Sequence, residues 1–135
     1  MKLNETEVPR VLSLTGLKAA GAAGDEEWLL AGARTLLEQF PLHLICITLG
    51  ERGSLLVSRD GYHRHPGVPV VLKDAIGAGD AFTAALTHYY LEGAPLSVLN
   101  EAGNRWGSWV ASQAGAMPPL PDETFAAITR AIRNL

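Results

Sequence analysis

The segment Lys73-Asp74-Ala75-Ile76-Gly77-Ala78-Gly79-Asp80-Ala81-Phe82-Thr83 constrains this chain more than any other. The β-branched run Val70-Val71-Leu72 leads into a turn of small residues, and an alanine-rich helical stretch from Ala81 to Leu91 leaves it. Such a turn lets backbone N–H groups approach an anion closely, and the helix N-terminus adds partial positive charge. A carboxylate beside an anion site is electrostatically unfavourable unless it removes a proton, so Asp80 reads as the base of a phosphoryl transfer. The same residues carry a plainer reading. Gly-x-Gly turns often precede helices, and an Asp in the first turn stabilises the helix dipole without any chemistry.

Two further segments bear on that choice. In Lys2-Leu3-Asn4-Glu5-Thr6-Glu7, residues three apart on a helix share a face, so the Asn4 amide and the Glu7 carboxylate can address one hydrated cation. They also fit a capping box, with Asn4 as N-cap and Glu7 returning to its N–H. In Ile45-Cys46-Ile47-Thr48-Leu49-Gly50-Glu51-Arg52-Gly53-Ser54-Leu55-Leu56-Val57, one apolar run ends at Gly50 and a second begins at Ser54. This predicts two strands joined by a short loop.

In this order and spacing, Gly77-Ala78-Gly79-Asp80, Asn4-x-x-Glu7 and Thr48-Leu49-Gly50-x-x-Gly53 resemble the signatures of the ribokinase-like (PfkB) carbohydrate kinases. The resemblance runs from Lys2 to the C-terminal helix and corresponds to the C-terminal half of the family, or a little less. It implies an α/β fold, the C-terminal part of a three-layer α/β/α (Rossmann-like) architecture, with residues 1–135 as a single nucleotide-binding domain. The family's N-terminal portion, with further strands, most sugar contacts and a β-sheet lid, lies outside the match. The chain is therefore expected to be a fragment or a stand-alone half.

The resemblance also implies roles. Asp80 would take the proton of a substrate hydroxymethyl group as it attacks the γ-phosphorus of ATP, with the N–H groups of Gly77, Ala78 and Gly79 as the anion hole. Asn4 and Glu7 would position magnesium through water. Thr48, Gly50 and Gly53 would shape the nucleotide site. Asn104, followed by Gly115-Ala116 at the family's interval, would approach the adenine. Asp74 corresponds to a position that in some relatives helps hold a monovalent cation, which makes potassium a candidate cofactor beside ATP and magnesium. Ala75-Ile76 replaces the commoner hydroxyl-bearing pair, and a proline-rich segment follows Ala116; both differences speak against a cation loop there.

The sugar is not implied, because the residues that grip it come mainly from outside the match; ribose, fructose, ketodeoxygluconate or a nucleoside stay equally open. Three function classes follow: the ATP-site half of a sugar kinase, a nucleotide-binding or regulatory module without catalysis, and a structural remnant of a truncated kinase gene. The chain alone is expected to lack sugar-kinase activity. A family member cut at Lys2 leaves a strand edge and an apolar face uncovered, so a homo-oligomer or association with an N-terminal half is expected.

Composition narrows the classes. A chain of 135 residues with 47% hydrophobic residues predicts one packed core rather than disorder. No apolar run approaches the roughly 18 residues of a membrane span. The net charge is −3, with 11 basic and 14 acidic residues interspersed, so there is no nucleic-acid footprint. Cys46 is the single cysteine and reads as a small buried hydrophobe. The polar N-terminus carries no secretory signal, and a cytoplasmic location is expected. His43, His63, His65 and His88 lack metal spacing and read as surface residues.

Punctuation and periodicity set the elements. Asp25 caps a predicted helix through Phe40, with Trp28, Leu29, Leu36, Leu37 and Phe40 as its apolar face. Strands are predicted near 43–49, 54–58 and 68–72, with Arg59-Asp60-Gly61 turning between the last two. Helices follow from about Gly79 to Leu91, from about Leu96 to Ala114, and from Asp122. Leu99, Ala102, Trp106, Trp109 and Val110 form the expected buried stripe of the second of these, and Phe125, Ile128 and Ile132 that of the last. The predicted order is helix, helix, β-meander, three helices.

Overall fold

The two apolar runs flanking Gly50 form the centre of a four-stranded sheet in the computed structural model, which describes residues 1–135. Along the chain the elements are β1 (Lys2–Asn4), α1 (Glu7–Thr15), α2 (Glu26–Gln39), β2 (Leu44–Thr48), β3 (Ser54–Ser58), β4 (Tyr62–His65), α3 (Ala78–Leu91), α4 (Leu96–Ala111) and α5 (Asp122–Arg133). The sheet order is β1-β2-β3-β4. β1 runs parallel to β2, with Leu3 opposite Ile47 and Asn4 opposite Thr48; β2 and β3 are antiparallel. The chain divides into two compact units, Met1–Arg64 and His65–Leu135.

In the first unit, the Asp25 carboxylate accepts the Trp28 N–H at 2.6 Å, an N-cap of the kind worth about 1 kcal/mol. The α2 face of Trp28, Leu29, Leu36 and Leu37 then packs with Leu3, Val8, Leu12, Ile45, Ile47, Leu55 and Val57 into one core. Phe40 does not join it: the residue turns extended as the helix ends and stays partly exposed. Cys46 is fully buried, and burial pushes its thiol up to about 12, so it behaves as an inert hydrophobe.

Two expectations are corrected by the structure. Lys2–Asn4 is a strand, not the start of a helix; three residues are too few to show a period, and only pairing with β2 defines them. The third strand of the meander follows its turn at once as Tyr62–His65, whereas Val68–Leu72 has no strand structure. Pro66 stands just before that run and Pro69 inside it, where neither offers a backbone donor, and the β-branched residues Val70 and Val71 stay exposed.

In the second unit, α3 and α4 meet through Phe82 and two glycines. A Cβ at Gly103 would lie 2.7 Å from the Phe82 ring, and one at Gly107 3.1 Å from the Ala78 carbonyl. Leu99, Ala102 and Val110 are buried as expected, but Trp106 and Trp109 are only half-buried and meet edge to face at 6.0 Å. In α5 only Ile132 is fully buried, packed with Ala85 of α3 and Ala102 of α4, while Phe125 is 52% exposed. No helix is long and apolar enough to cross a membrane.

Candidate functional site

Asn4 closes β1 and Glu7 opens α1, so the two do not share a helix face. The Asn4 Oδ1 accepts the N–H groups of Thr6 and Glu7, each at 3.0 Å, and the Thr6 hydroxyl at 2.7 Å. The Glu7 Oε2 in turn accepts the Asn4 N–H at 2.7 Å. This is the reciprocal capping arrangement, and it fixes both side chains at the sheet edge. Thr48 lies opposite Asn4, and its carbonyl accepts the Glu5 N–H at 3.1 Å. Beyond it the chain makes a short helical turn, Gly50–Arg52, bounded by Gly50 at φ 62° and Gly53 at φ 85°. The Arg52 guanidinium pairs with the Glu5 carboxylate. Within the first unit the fold thus joins the Asn-x-x-Glu stretch to the Thr-Leu-Gly-x-x-Gly loop.

In the second unit the glycine turn is held from behind. Gly77 adopts φ 82°, and a Cβ there would lie 2.5 Å from the Ala116 carbonyl oxygen, so both conformation and space demand glycine. The Ala78 N–H meets the Ala75 carbonyl at 3.3 Å, and the first intrahelical bond runs from the Ala81 N–H to the Gly77 carbonyl at 2.9 Å. Gly79 and Asp80 therefore supply first-turn amides without a helical acceptor. The Asp80 carboxylate is exposed in that turn and does not cap the helix. The Asp74 carboxylate accepts the Ile76 N–H at 2.9 Å and the Gly115 N–H at 3.2 Å.

Asn104 is buried. Its amide nitrogen donates to the Asn100 carbonyl at 2.7 Å and to the Asn100 Oδ1 at 3.0 Å. Asn100 belongs to no motif, and its i,i+4 relation to Asn104 is the one sequence signal for it.

His65, expected on the surface, is buried. The Nδ1 atom accepts the Gly67 N–H at 3.0 Å, which leaves the proton on Nε2, 2.7 Å from the Glu101 Oε2. The other Glu101 oxygen accepts from the Arg105 guanidinium. Burial pushes the Glu101 carboxyl upward, but the bonds from His65 and Arg105 outweigh it and hold the group below the ordinary carboxyl value. The i,i+4 spacing of Glu101 and Arg105 could have signalled half of this cluster; nothing local signals His65. His43 and His88 are exposed as expected, and no group of three His, Cys, Asp or Glu side chains could hold a metal ion.

Comparison with known proteins agrees with these motifs. The model of the pfkB family carbohydrate kinases matches residues 1–123. The deoxyribokinase of Salmonella typhi is 36% identical over 89 residues, covering 66% of this chain and 26% of that protein. The ATP-dependent 6-phosphofructokinase isozyme 2 of Mycobacterium tuberculosis is 36% identical over 58 residues, covering 43% of this chain and 17% of that protein. Among solved structures, Escherichia coli phosphofructokinase-2 in complex with potassium superposes with a TM-score of 0.76 at 21% identity, over 96% of this chain and 40% of that one. A Burkholderia thailandensis nucleoside kinase in complex with inosine gives 0.75 at 23% identity, over 98% of this chain and 38% of that one. The chain thus spans well under half the length of these relatives and has the ribokinase-like α/β fold. It belongs to the pfkB family of carbohydrate kinases.

Proposed function

We propose that this chain supplies the nucleotide-binding, base-bearing part of a kinase that moves the γ-phosphoryl group of ATP onto a hydroxymethyl group of a small sugar or sugar-like substrate. It acts together with an N-terminal half that holds the sugar, in the cytoplasm. The observation that carries this reading is Asp80, an exposed carboxylate that caps nothing, placed in the first turn of α3 directly after a glycine turn.

An Asp80 oxygen takes the proton of the hydroxymethyl group. The oxygen so freed forms a bond to the γ-phosphorus while the bond from that phosphorus to the bridging oxygen breaks, releasing ADP. Backbone amides of the Gly77–Gly79 turn, with the α3 dipole behind them, hold the transferring oxygens as charge develops. Thr48, Gly50 and Gly53 shape the nucleotide site, and Asn104, oriented by Asn100, lies next to the base. Magnesium, when bound, neutralises charge on the triphosphate. For a hydrated cation the Glu7 Oε1 is the fitting group, exposed and unused in the cap; the Asn4 Oδ1 already accepts three hydrogen bonds, and its exposed amide nitrogen would donate to a phosphate oxygen instead.

In the kinase assembled from this chain and an N-terminal half, Asp80→Asn is expected to keep ATP affinity and to lower phosphoryl transfer about 100-fold or more. Steady-state kinetics beside ATP titration check this. Near-normal turnover in the variant would remove Asp80 as the base.

A further inference from the structure

We propose that Asp74 is a positioning residue that fastens the Gly77–Gly79 turn to the loop after α4, so that the turn is set for a triphosphate without a monovalent cation. The inference rests on the nucleotide-site reading above. Four links tie the segment before the turn to the end of α4 and the loop beyond it. The Lys73 and Asp74 N–H groups both donate to the Ala111 carbonyl, at 2.9 and 3.2 Å. One Asp74 oxygen accepts the Gly115 N–H, 41 residues away in sequence. Gly77 presses against the backbone of Ala116. The second Asp74 oxygen accepts the Ile76 N–H and so curls the chain into the turn.

A monovalent cation joining the same two loops would need several oxygens directed at one centre. Both Asp74 oxygens already have an amide hydrogen directed at them, and Ala75, Ile76, Gly115 and Ala116 add no side-chain oxygen. The side chains present supply a cation with nothing there beyond the second lone pairs of the Asp74 oxygens. Hydrogen bonds to an ionised carboxylate are about twice as strong as neutral ones, so the carboxylate itself can hold the loops. Its negative charge is met by the Ile76 and Gly115 amides, and the Gly79 and Asp80 amides at the start of α3 stay available to an anion.

The test measures ATP binding to this chain by titration calorimetry, and adenosine binding by saturation-transfer NMR, in potassium chloride and in choline chloride at equal ionic strength. The unaltered chain is expected to bind ATP equally in both salts. Asp74→Asn, which replaces one acceptor with a donor, is expected to weaken ATP binding about tenfold while adenosine binding stays within about twofold, consistent with losing hydrogen bonds to a charged group. Gly77→Ala is expected to give the same split, and it decides the matter with the salt comparison if the Asn variant fails to fold. Binding of ATP that tightens about fivefold or more in potassium would overturn the inference, a salt response the tenfold scale of such bonds makes easy to resolve. So would an equal loss of ATP and adenosine, or no loss at all. If the unaltered chain binds no ATP in either salt, the nucleotide-site reading itself fails and this inference with it.

Discussion

Phe82 is buried because α4 carries no side chain where its ring lands. With a Cβ at Gly103 only 2.7 Å from that ring, Gly103→Ala must displace a buried aromatic. Overpacking of this kind costs about 1–3 kcal/mol, and the better helix propensity of alanine returns up to about 1 kcal/mol. Gly103→Ala is therefore expected to lower the urea midpoint, and Phe82→Leu in the same chain to restore part of it. An unchanged midpoint in the single variant would show that the ring has room to move. The glycine itself was legible in the sequence, but its partner was not. The same holds for Gly77, whose motif announces a tight turn while the contact with Ala116 comes from a residue far along the chain.

At the scale of elements, α4 braces the chain that leads toward the glycine turn. Glu101 receives His65 from the end of β4 and Arg105 from one turn further along its own helix. Its carboxyl titrates below the ordinary value of 4.5, so this brace stabilises the fold above that value and loses its contribution as pH falls through the lowered one. Thermal melts between neutral and acid pH are expected to show that loss. Glu101→Gln is expected to cost about 1–3 kcal/mol at pH 7, from the hydrogen bonds to a charged group, and to flatten the acid limb. An acid limb that is the same in the variant would assign the pH dependence to other carboxylates. The starts of α2, α4 and α5 were legible: Asp25 caps α2, α4 begins at Leu96 and α5 at Asp122, whereas α4 stops at Ala111, short of the predicted Ala114, and α1 had no readable bounds. The third strand was not, since the β-branched run at 68–72 outweighs Tyr62–His65 on propensity alone.

For the whole molecule, exposed apolar side chains set the expectation. Leu14 is 87% exposed, Val71 81%, Leu91 79% and Met117 93%, and β1 stands at the edge of the sheet with its outer side unpaired. Surfaces and edges of that kind associate. The chain by itself is expected to self-associate across micromolar concentrations, most simply as a two-fold dimer, as read by sedimentation equilibrium. A monomer of 14.4 kDa that binds no hydrophobic dye would show that the surface is tolerated in water.

The family motifs, helices α2 to α5 and the two central strands could be read locally, because each is written in residues close together: small residues before a helix, a cap three residues ahead of its acceptor, an apolar run between glycines. β1, the third strand, the burial of His65 and Asn104, and the hold of Asp74 on Gly115 came from packing and pairing in the folded chain. Each of these joins segments separated along the chain, except for Asn104, whose partner is one turn away but whose burial depends on what packs around it. A three-residue strand or a lone histidine has no local pattern to read; its conformation follows from the partner that satisfies its polar groups.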